Sequence, residues 1–89
     1  MLAKQYRVYG RVQGVGFRWF VNKIAESLNL KGYVMNMPDG SVEIWAEGNE
    51  NELEKLKSFI IKGNGFSKIE DIKEEIVPIE GYTHFYIKY

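Results

Sequence analysis

The 89-residue sequence contains no cysteine and only one histidine, His84. The absence of cysteine excludes disulfides, thiolate metal sites and cysteine nucleophiles. A single imidazole argues against a catalytic zinc site, because such sites usually recruit several histidines. We therefore expect a protein that uses neither a metal nor another cofactor.

Long hydrophobic runs are also missing. The longest are triplets such as Trp19–Val21 and Phe59–Ile61, whereas a membrane helix needs about 20 apolar residues. The N-terminal residues contain no apolar stretch of secretory length, so we expect a cytoplasmic protein without a membrane partner. With 2 prolines and 9 glycines in 89 residues the chain is not of low complexity, and residues 1–89 are predicted to form a single domain.

Charge is balanced in number but not in position. The 12 basic and 12 acidic residues give zero net charge, which argues against nucleic-acid binding by bulk electrostatics. Residues 1–37 nevertheless carry six basic residues and one acid, a balance of +5, and residues 38–89 carry six lysines and eleven acids, a balance of −5. This asymmetry favours an anion bound by the first third of the chain. A solvated acidic helix in the second part is an equally good explanation.

The first part of the chain has the period of a strand and then that of a helix. Lys4 to Val12 alternates, which is typical of a strand covered on one side. From Phe17 a continuous apolar stripe predicts an amphipathic helix that ends before Gly32. Two extended segments, residues 32–37 and 41–47, then flank the turn Met37–Gly40, whose proline and glycine suit a hairpin.

A second helix is predicted after the hairpin, with Asn49 or Asn51 as its cap and Gly63 as its end. Two more strand-like segments follow, one stopping near Pro78 and one at the end of the chain. The residues expected to form the buried face of this helix are Leu53, Leu56, Phe59 and Ile60. The order β-α-β-β-α-β with a final strand predicts an α+β ferredoxin-like sandwich, a mostly antiparallel sheet with two helices on one face.

The segment between the first strand and the first helix is the candidate anion site. A glycine-bearing loop that runs directly into a helix presents backbone N–H groups that can cradle a phosphate. Without such a ligand the same pattern is an ordinary tight turn. The loop residues are Gln13, Gly14, Val15, Gly16, Phe17 and Arg18.

Two polar side chains are candidates for the chemistry. Arg18 stands in the first helical turn, where acids are usual, and no acid occurs before Glu26. With Arg7 and Arg11 on the preceding strand, we expect Arg18 to bind an anion, the alternative being a solvated surface arginine. Asn36 precedes the hairpin turn, so it is either a turn residue or an amide that holds a water or substrate oxygen.

The segment Gly10–Arg18 closely resembles the first signature of the acylphosphatases, and Gly32–Asn36 followed by Asp39–Glu43 resembles the second. The resemblance spans the chain and implies a small free-standing, metal-independent hydrolase of acyl phosphates. It also implies that Arg18 binds the phosphate and that Asn36 orients the attacking water. One departure is Met35, where the family usually has lysine or arginine, which puts electrostatic help from that position in doubt.

The residues also limit the mechanism. With no cysteine and no acid in or near the loop, a phosphoenzyme is not expected, and direct attack by water remains. Arg18 and the N–H groups of residues 14–18 would hold the phosphoryl charge. The resemblance implies that the substrate phosphate itself takes the proton of the water.

Two other functions use the same fold. One is a non-catalytic domain that binds an anion or carbamoyl phosphate, as at the start of the larger hydrogenase-maturation proteins. The other is an RNA-binding module with Tyr9 and Trp45 on an open sheet face, although Glu43 and Glu47 beside Trp45 would repel RNA. We expect instead a monomeric enzyme whose partner is a small-molecule acyl phosphate and not a nucleic acid.

Overall fold

The predicted order of strands and helices is confirmed in the computed structural model, which describes residues 1–89. The elements in chain order are β1 (Leu2–Arg11), α1 (Phe17–Ser27), β2 (Lys31–Asn36), β3 (Val42–Gly48), α2 (Glu50–Lys62), β4 (Lys68–Val77) and β5 (Phe85–Lys88). The five strands form one sheet in the order β4-β1-β3-β2-β5. All neighbours are antiparallel except β2 and β5. The protein therefore has the α+β ferredoxin-like fold.

The core lies between the sheet and the two helices. Alternate strand residues such as Tyr6, Val8 and Ile44 are fully buried on this face, because successive strand side chains point to opposite faces. The helix residues that complete the core are Phe17, Val21 and Ala25 of α1 and Leu53, Leu56 and Ile60 of α2. The strands place Lys4 on the same face, where its Nζ pairs with Glu54 and Glu74 at 3.1 and 3.3 Å.

Two details of α2 differ from the sequence prediction. Phe59 is not in the core: it is 44% exposed, because it lies to one side of the stripe formed by Leu53, Leu56 and Ile60. Asn49 occupies the cap position, but its side chain makes no capping hydrogen bond, and Asn51 lies inside the helix. Gly63 ends the helix as predicted, with a left-handed φ of 77°.

The second face of the sheet is crossed by the segment between β4 and β5, residues 78–84. Glu47, only 2% exposed, accepts hydrogen bonds from the backbone N–H groups of Glu80, Gly81 and Tyr82 at 2.6–3.1 Å. The indole N–H of Trp45 donates to the same carboxylate at 3.0 Å. One buried carboxylate thus fastens the crossing segment to the sheet.

The fastened segment lays Tyr82 over the aromatic residues of this face. Its ring centroid lies 5.8 Å from that of Tyr33 and 6.4 Å from that of Trp45. Trp45 is consequently half-buried in an aromatic cluster, whereas Tyr9, the other aromatic residue of the RNA-binding alternative, borders two surface hollows.

Burial alone would raise the pKa of the Glu47 carboxyl, but its four N–H donors outweigh this effect and hold the pKa below its usual value. A carboxyl whose pKa is lowered in the folded state contributes stability at neutral pH. That contribution is lost as the pH falls through the folded pKa.

We expect Glu47→Gln to lower the free energy of unfolding at pH 7 by about 1–2 kcal/mol, since hydrogen bonds to a charged acceptor become bonds to a neutral one. The deficit should shrink at an acid pH below the lowered pKa of Glu47, where the wild-type carboxyl also becomes protonated. Urea denaturation at both pH values measures this difference, with Glu75→Gln on exposed β4 as the control. A deficit that is equal at both pH values would contradict the assigned role of the charge.

Candidate active site

The loop between β1 and α1 presents several backbone donors without acceptors. Gly14 and Gly16 have φ angles of 74° and 76°, in the left-handed region that favours glycine. The N–H groups of residues 14–16 donate to no other group of the chain. The first hydrogen bond into α1 runs from Phe20 N to Gly16 O, so the N–H groups of Phe17 and Arg18 have no helical acceptor either.

Four of the residues that carry these donors, Gly14, Gly16, Phe17 and Arg18, line a surface cavity of about 270 Å³. The cavity is lined by Val12, Gly14, Gly16, Phe17, Arg18, Trp19, Asn36, Ile87 and Tyr89. It brings Arg18 and Asn36 together, although they lie on α1 and at the end of β2. Three larger hollows elsewhere on the surface contain neither residue.

Asn36 is the last residue of β2, and its side chain points to the helix side of the sheet, as that of Val34 does. Its Oδ1 atom is buried and has no hydrogen-bond partner, and an unpaired buried acceptor is costly. The side chain does not hold the following turn. That turn is closed by backbone bonds from Gly40 N to Met37 O and from Met37 N to Ser41 O, at 3.1 and 2.8 Å. No hydrogen bond within the chain therefore occupies the Asn36 amide.

Arg18 is an unpaired cation at the cavity wall. None of the ion pairs of the structure includes it, and the first turn of α1 contains no acid. Its guanidinium carbon lies 5.0 Å from the ring centroid of Tyr89, a cation–π contact that leaves the nitrogen donors free for an anion.

The expectation that Arg7 and Arg11 lie near this site is wrong. Arg7 points to the opposite face of the sheet, where its Nη2 is 3.0 Å from Glu43 Oε1 and its Nη1 is 3.9 Å from Asp39 Oδ2. The alternation of β1 dictates this orientation, since Tyr6 and Val8 occupy the core side. Arg11 is exposed and borders a different hollow, with Glu70. Arg18 is therefore the only basic residue that lines the cavity.

Gln13 belongs to the predicted loop but does not line the cavity. Its Nε2 donates to Met37 O at 2.8 Å and to Ser41 O at 2.9 Å. These bonds fasten the loop that carries Arg18 to the hairpin that follows Asn36. Val15 is also outside the lining, and its carbonyl accepts a bond from Asn64 Nδ2 at 2.9 Å.

The profile of the acylphosphatase family matches residues 4–87 of this sequence. The chain belongs to the acylphosphatase family. It is similar over all 89 residues to the acylphosphatase of Petrotoga mobilis, with 51% identity and 100% of both chains covered. The acylphosphatase of Thermotoga maritima is 49% identical over 89 residues, which cover 100% of this chain and 99% of that one. The crystal structure of acylphosphatase from Bacillus subtilis has a TM-score of 0.97 and 46% identity, with both chains fully covered.

As a member of the acylphosphatase family the chain is a hydrolase. Two residues of the second signature segment, Met35 and Asp39, lie outside the cavity. Met35 points to the outer face of the sheet, beside Tyr33 and opposite Glu43 in the β2–β3 register. Asp39 accepts hydrogen bonds from Ser41 N and Oγ at 2.9 and 2.5 Å, and these bonds lower its pKa. It is a turn residue, as the sequence predicts.

Other polar groups of this acylphosphatase do not converge on the cavity. His84 lies beside Thr83 and Tyr86 and is not in the lining. No group of three or more histidine, aspartate or glutamate side chains could hold a metal ion. None of the helices combines the length and the apolar character needed to span a membrane.

Arg18→Ala should weaken the binding of inorganic phosphate roughly tenfold or more, because the fork of a guanidinium gives charge-assisted bonds to phosphate oxygens. Turnover should be nearly abolished. Isothermal titration calorimetry with phosphate measures the affinity, and Arg11→Ala is the matched control because it removes an exposed arginine outside the cavity. Unchanged phosphate affinity in Arg18→Ala would refute Arg18 as the phosphate ligand.

Proposed function

We propose that this chain hydrolyses the carboxyl-phosphate bond of acyl phosphates to a carboxylate and inorganic phosphate, in the cavity between the β1–α1 loop and Asn36. The observation that carries the proposal is the unpaired, buried Oδ1 of Asn36 in one cavity with Arg18 and the free loop donors. The similarity to named acylphosphatases over the full chain supports the same substrate class.

In this proposal the phosphoryl group is held by Arg18 and by the N–H groups of residues 14–18. Two positive charges favour a phosphate there: the full charge of the guanidinium and the partial charge at the start of α1. No acid of the first helical turn competes for these donors. The donors are already in place before the reaction, so their stabilisation of the transition state needs no rearrangement.

The attacking water is held by the Asn36 amide. Its oxygen forms a bond to phosphorus as the bond between phosphorus and the acyl oxygen breaks, and the leaving carboxylate departs without a strong general acid. The cavity lining contains no aspartate, glutamate or histidine side chain, which agrees with the implication of the family resemblance that a phosphate oxygen takes the proton of the water. The lining also lacks serine and cysteine, which supports direct attack over a covalent phosphoenzyme.

The proposal extends to the organisation of the protein. We infer that residues 1–89 act as a single acylphosphatase-like domain, a cytoplasmic monomer whose partner is a small-molecule acyl phosphate and not a nucleic acid. The cavity volume of about 270 Å³ suits a phosphoryl group with part of a small acyl group.

Hydrolysis of benzoyl phosphate should be saturable and unaffected by exhaustive chelation, because backbone donors and Arg18 supply the charge that a metal would otherwise provide. Release of benzoate is followed with and without chelator. Activity that disappears on chelation and returns with a divalent cation would refute this mechanism. A protein that binds phosphate or carbamoyl phosphate without turnover would instead be the non-catalytic domain.

Asn36→Ala should separate binding from chemistry. Phosphate affinity should stay near the wild-type value because Arg18 and the loop donors remain. The kcat should fall by ~10²-fold or more, because the water loses its fixed position.

The control for this variant is Asn51→Ala, the same change at an exposed position of α2. Thermal unfolding checks that the hairpin remains intact, as expected from a turn that does not use the Asn36 side chain. A folded Asn36→Ala protein with wild-type kcat would leave Asn36 without a role in orienting water.

A further inference from the structure

The segment between α2 and β4, residues 63–67, is joined to the β1–α1 loop by a hydrogen bond from one side chain, that of Asn64. Its Nδ2 donates to Val15 O at 2.9 Å across 49 residues of sequence. Its Oδ1 accepts from Phe66 N at 3.0 Å and from Ser67 N at 2.9 Å. Because backbone N–H groups can donate only to the oxygen of the amide, these two bonds fix which end of the side chain faces Val15.

The bond to Val15 O determines where the next N–H group points. All peptide bonds of the chain are trans, and in a planar trans peptide the C=O and N–H bonds point in opposite directions. Asn64, which holds the carbonyl, is outside the cavity lining, whereas Gly16 lines it. The Gly16 N–H therefore points to the cavity side of the loop, where it has no acceptor in the chain.

The Val15–Gly16 peptide needs a contact from outside the loop to keep its orientation. Gly16 has a φ of 76°, and glycine adopts positive and negative φ with similar ease. On its glycine side, the Val15–Gly16 peptide unit thus has no side-chain barrier to a change of orientation. If it flipped, the Val15 carbonyl would face the cavity and repel a phosphate.

We propose that Asn64 is a positioning residue of the active site, which aims the Gly16 N–H at the phosphate by holding the Val15 carbonyl on the far side of the loop. This inference rests on the proposed binding of phosphate by the loop N–H groups. The local sequence gives no sign of the role, since Asn64 followed by Gly65 predicts only a turn.

Asn64→Asp is the variant that isolates the donor. An aspartate still accepts the bonds from Phe66 N and Ser67 N, so segment 63–67 keeps its turn, but it cannot donate to Val15 O. Phosphate affinity should fall roughly tenfold, the effect of one hydrogen bond to a charged group. Isothermal titration calorimetry measures the affinity, and benzoyl phosphate kinetics should show a rise in KM together with a lower kcat/KM.

An NMR measurement distinguishes a change in the orientation of the Val15–Gly16 peptide from a general increase in the mobility of the loop. In the wild-type protein, saturation with phosphate should shift the Gly16 amide proton downfield in a two-dimensional NMR spectrum. In Asn64→Asp this shift should be lost, while the amides of Gly14 and Arg18 still respond because Asn64 does not hold their peptides.

Two controls cover the charge and the turn. Phe66→Asp adds the same charge at an exposed side chain and should leave the Gly16 response intact. Ser67→Ala removes the hydroxyl that accepts from Asn64 N at 3.3 Å and should leave phosphate affinity near the wild-type value. If Asn64→Asp does not fold, Asn64→Ser serves instead, since a serine hydroxyl can accept the turn bonds but is too short to reach Val15 O.

Wild-type phosphate affinity and an unchanged Gly16 response in the folded Asn64 variant would overturn this inference. Phe66→Asp with the same loss as Asn64→Asp would also overturn it, because charge alone would then explain the effect. Failure of the proposed function has a different pattern: the wild-type protein would then not hydrolyse benzoyl phosphate, or Arg18→Ala would bind phosphate as well as the wild-type protein does.

Discussion

The two hydrogen bonds from Gln13 to the carbonyls of Met37 and Ser41 join the two segments on which the site depends. β1 and β2 are not neighbours in the sheet, since β3 lies between them. Both are antiparallel to β3, so the loop after β1 and the turn after β2 emerge at the same end of the sheet. Gln13 spans the gap between them at 2.8 and 2.9 Å. The separation between the loop and Asn36 is therefore set by the β1–β3 and β2–β3 pairings together with this one side chain, which does not line the cavity.

Two carbonyl groups of the β1–α1 loop are paired within the chain, whereas its N–H groups are not. The Val15 carbonyl accepts a hydrogen bond from Asn64 and the Gly16 carbonyl accepts one from Phe20 N, while the N–H groups of residues 14–18 have no partners in the chain. Unpaired N–H groups carry partial positive charge, so this arrangement favours an anion over a cation at the loop.

Sequence patterns identified Arg18, Asn36 and part of the loop as residues of the cavity, but not the contacts that hold them there. The order of the elements follows from the hydrophobic periods, and Arg18 and Asn36 follow from local sequence and from the family resemblance. These patterns contain only residues that are close together in the sequence. Part of the charge asymmetry between the two parts of the chain consists of ion pairs, Arg7 with Glu43 and Lys4 with Glu54. These contacts span 36 and 50 residues, and no short window along the chain contains both partners. The same is true of Glu47, whose backbone donors begin 33 residues later.

The division between the two faces of the sheet explains why Met35 is compatible with an intact site. On the helix side, β2 contributes Val34 to the core and Asn36 to the cavity. On the outer side it contributes Tyr33 and Met35, and this face is closed by the segment that Glu47 holds. A basic residue at position 35 would therefore act on the phosphate through the thickness of the sheet or around its edge, where solvent and salt screen it. In the proposed mechanism the charge that acts on the phosphate is the one that shares the cavity with Asn36, that of Arg18.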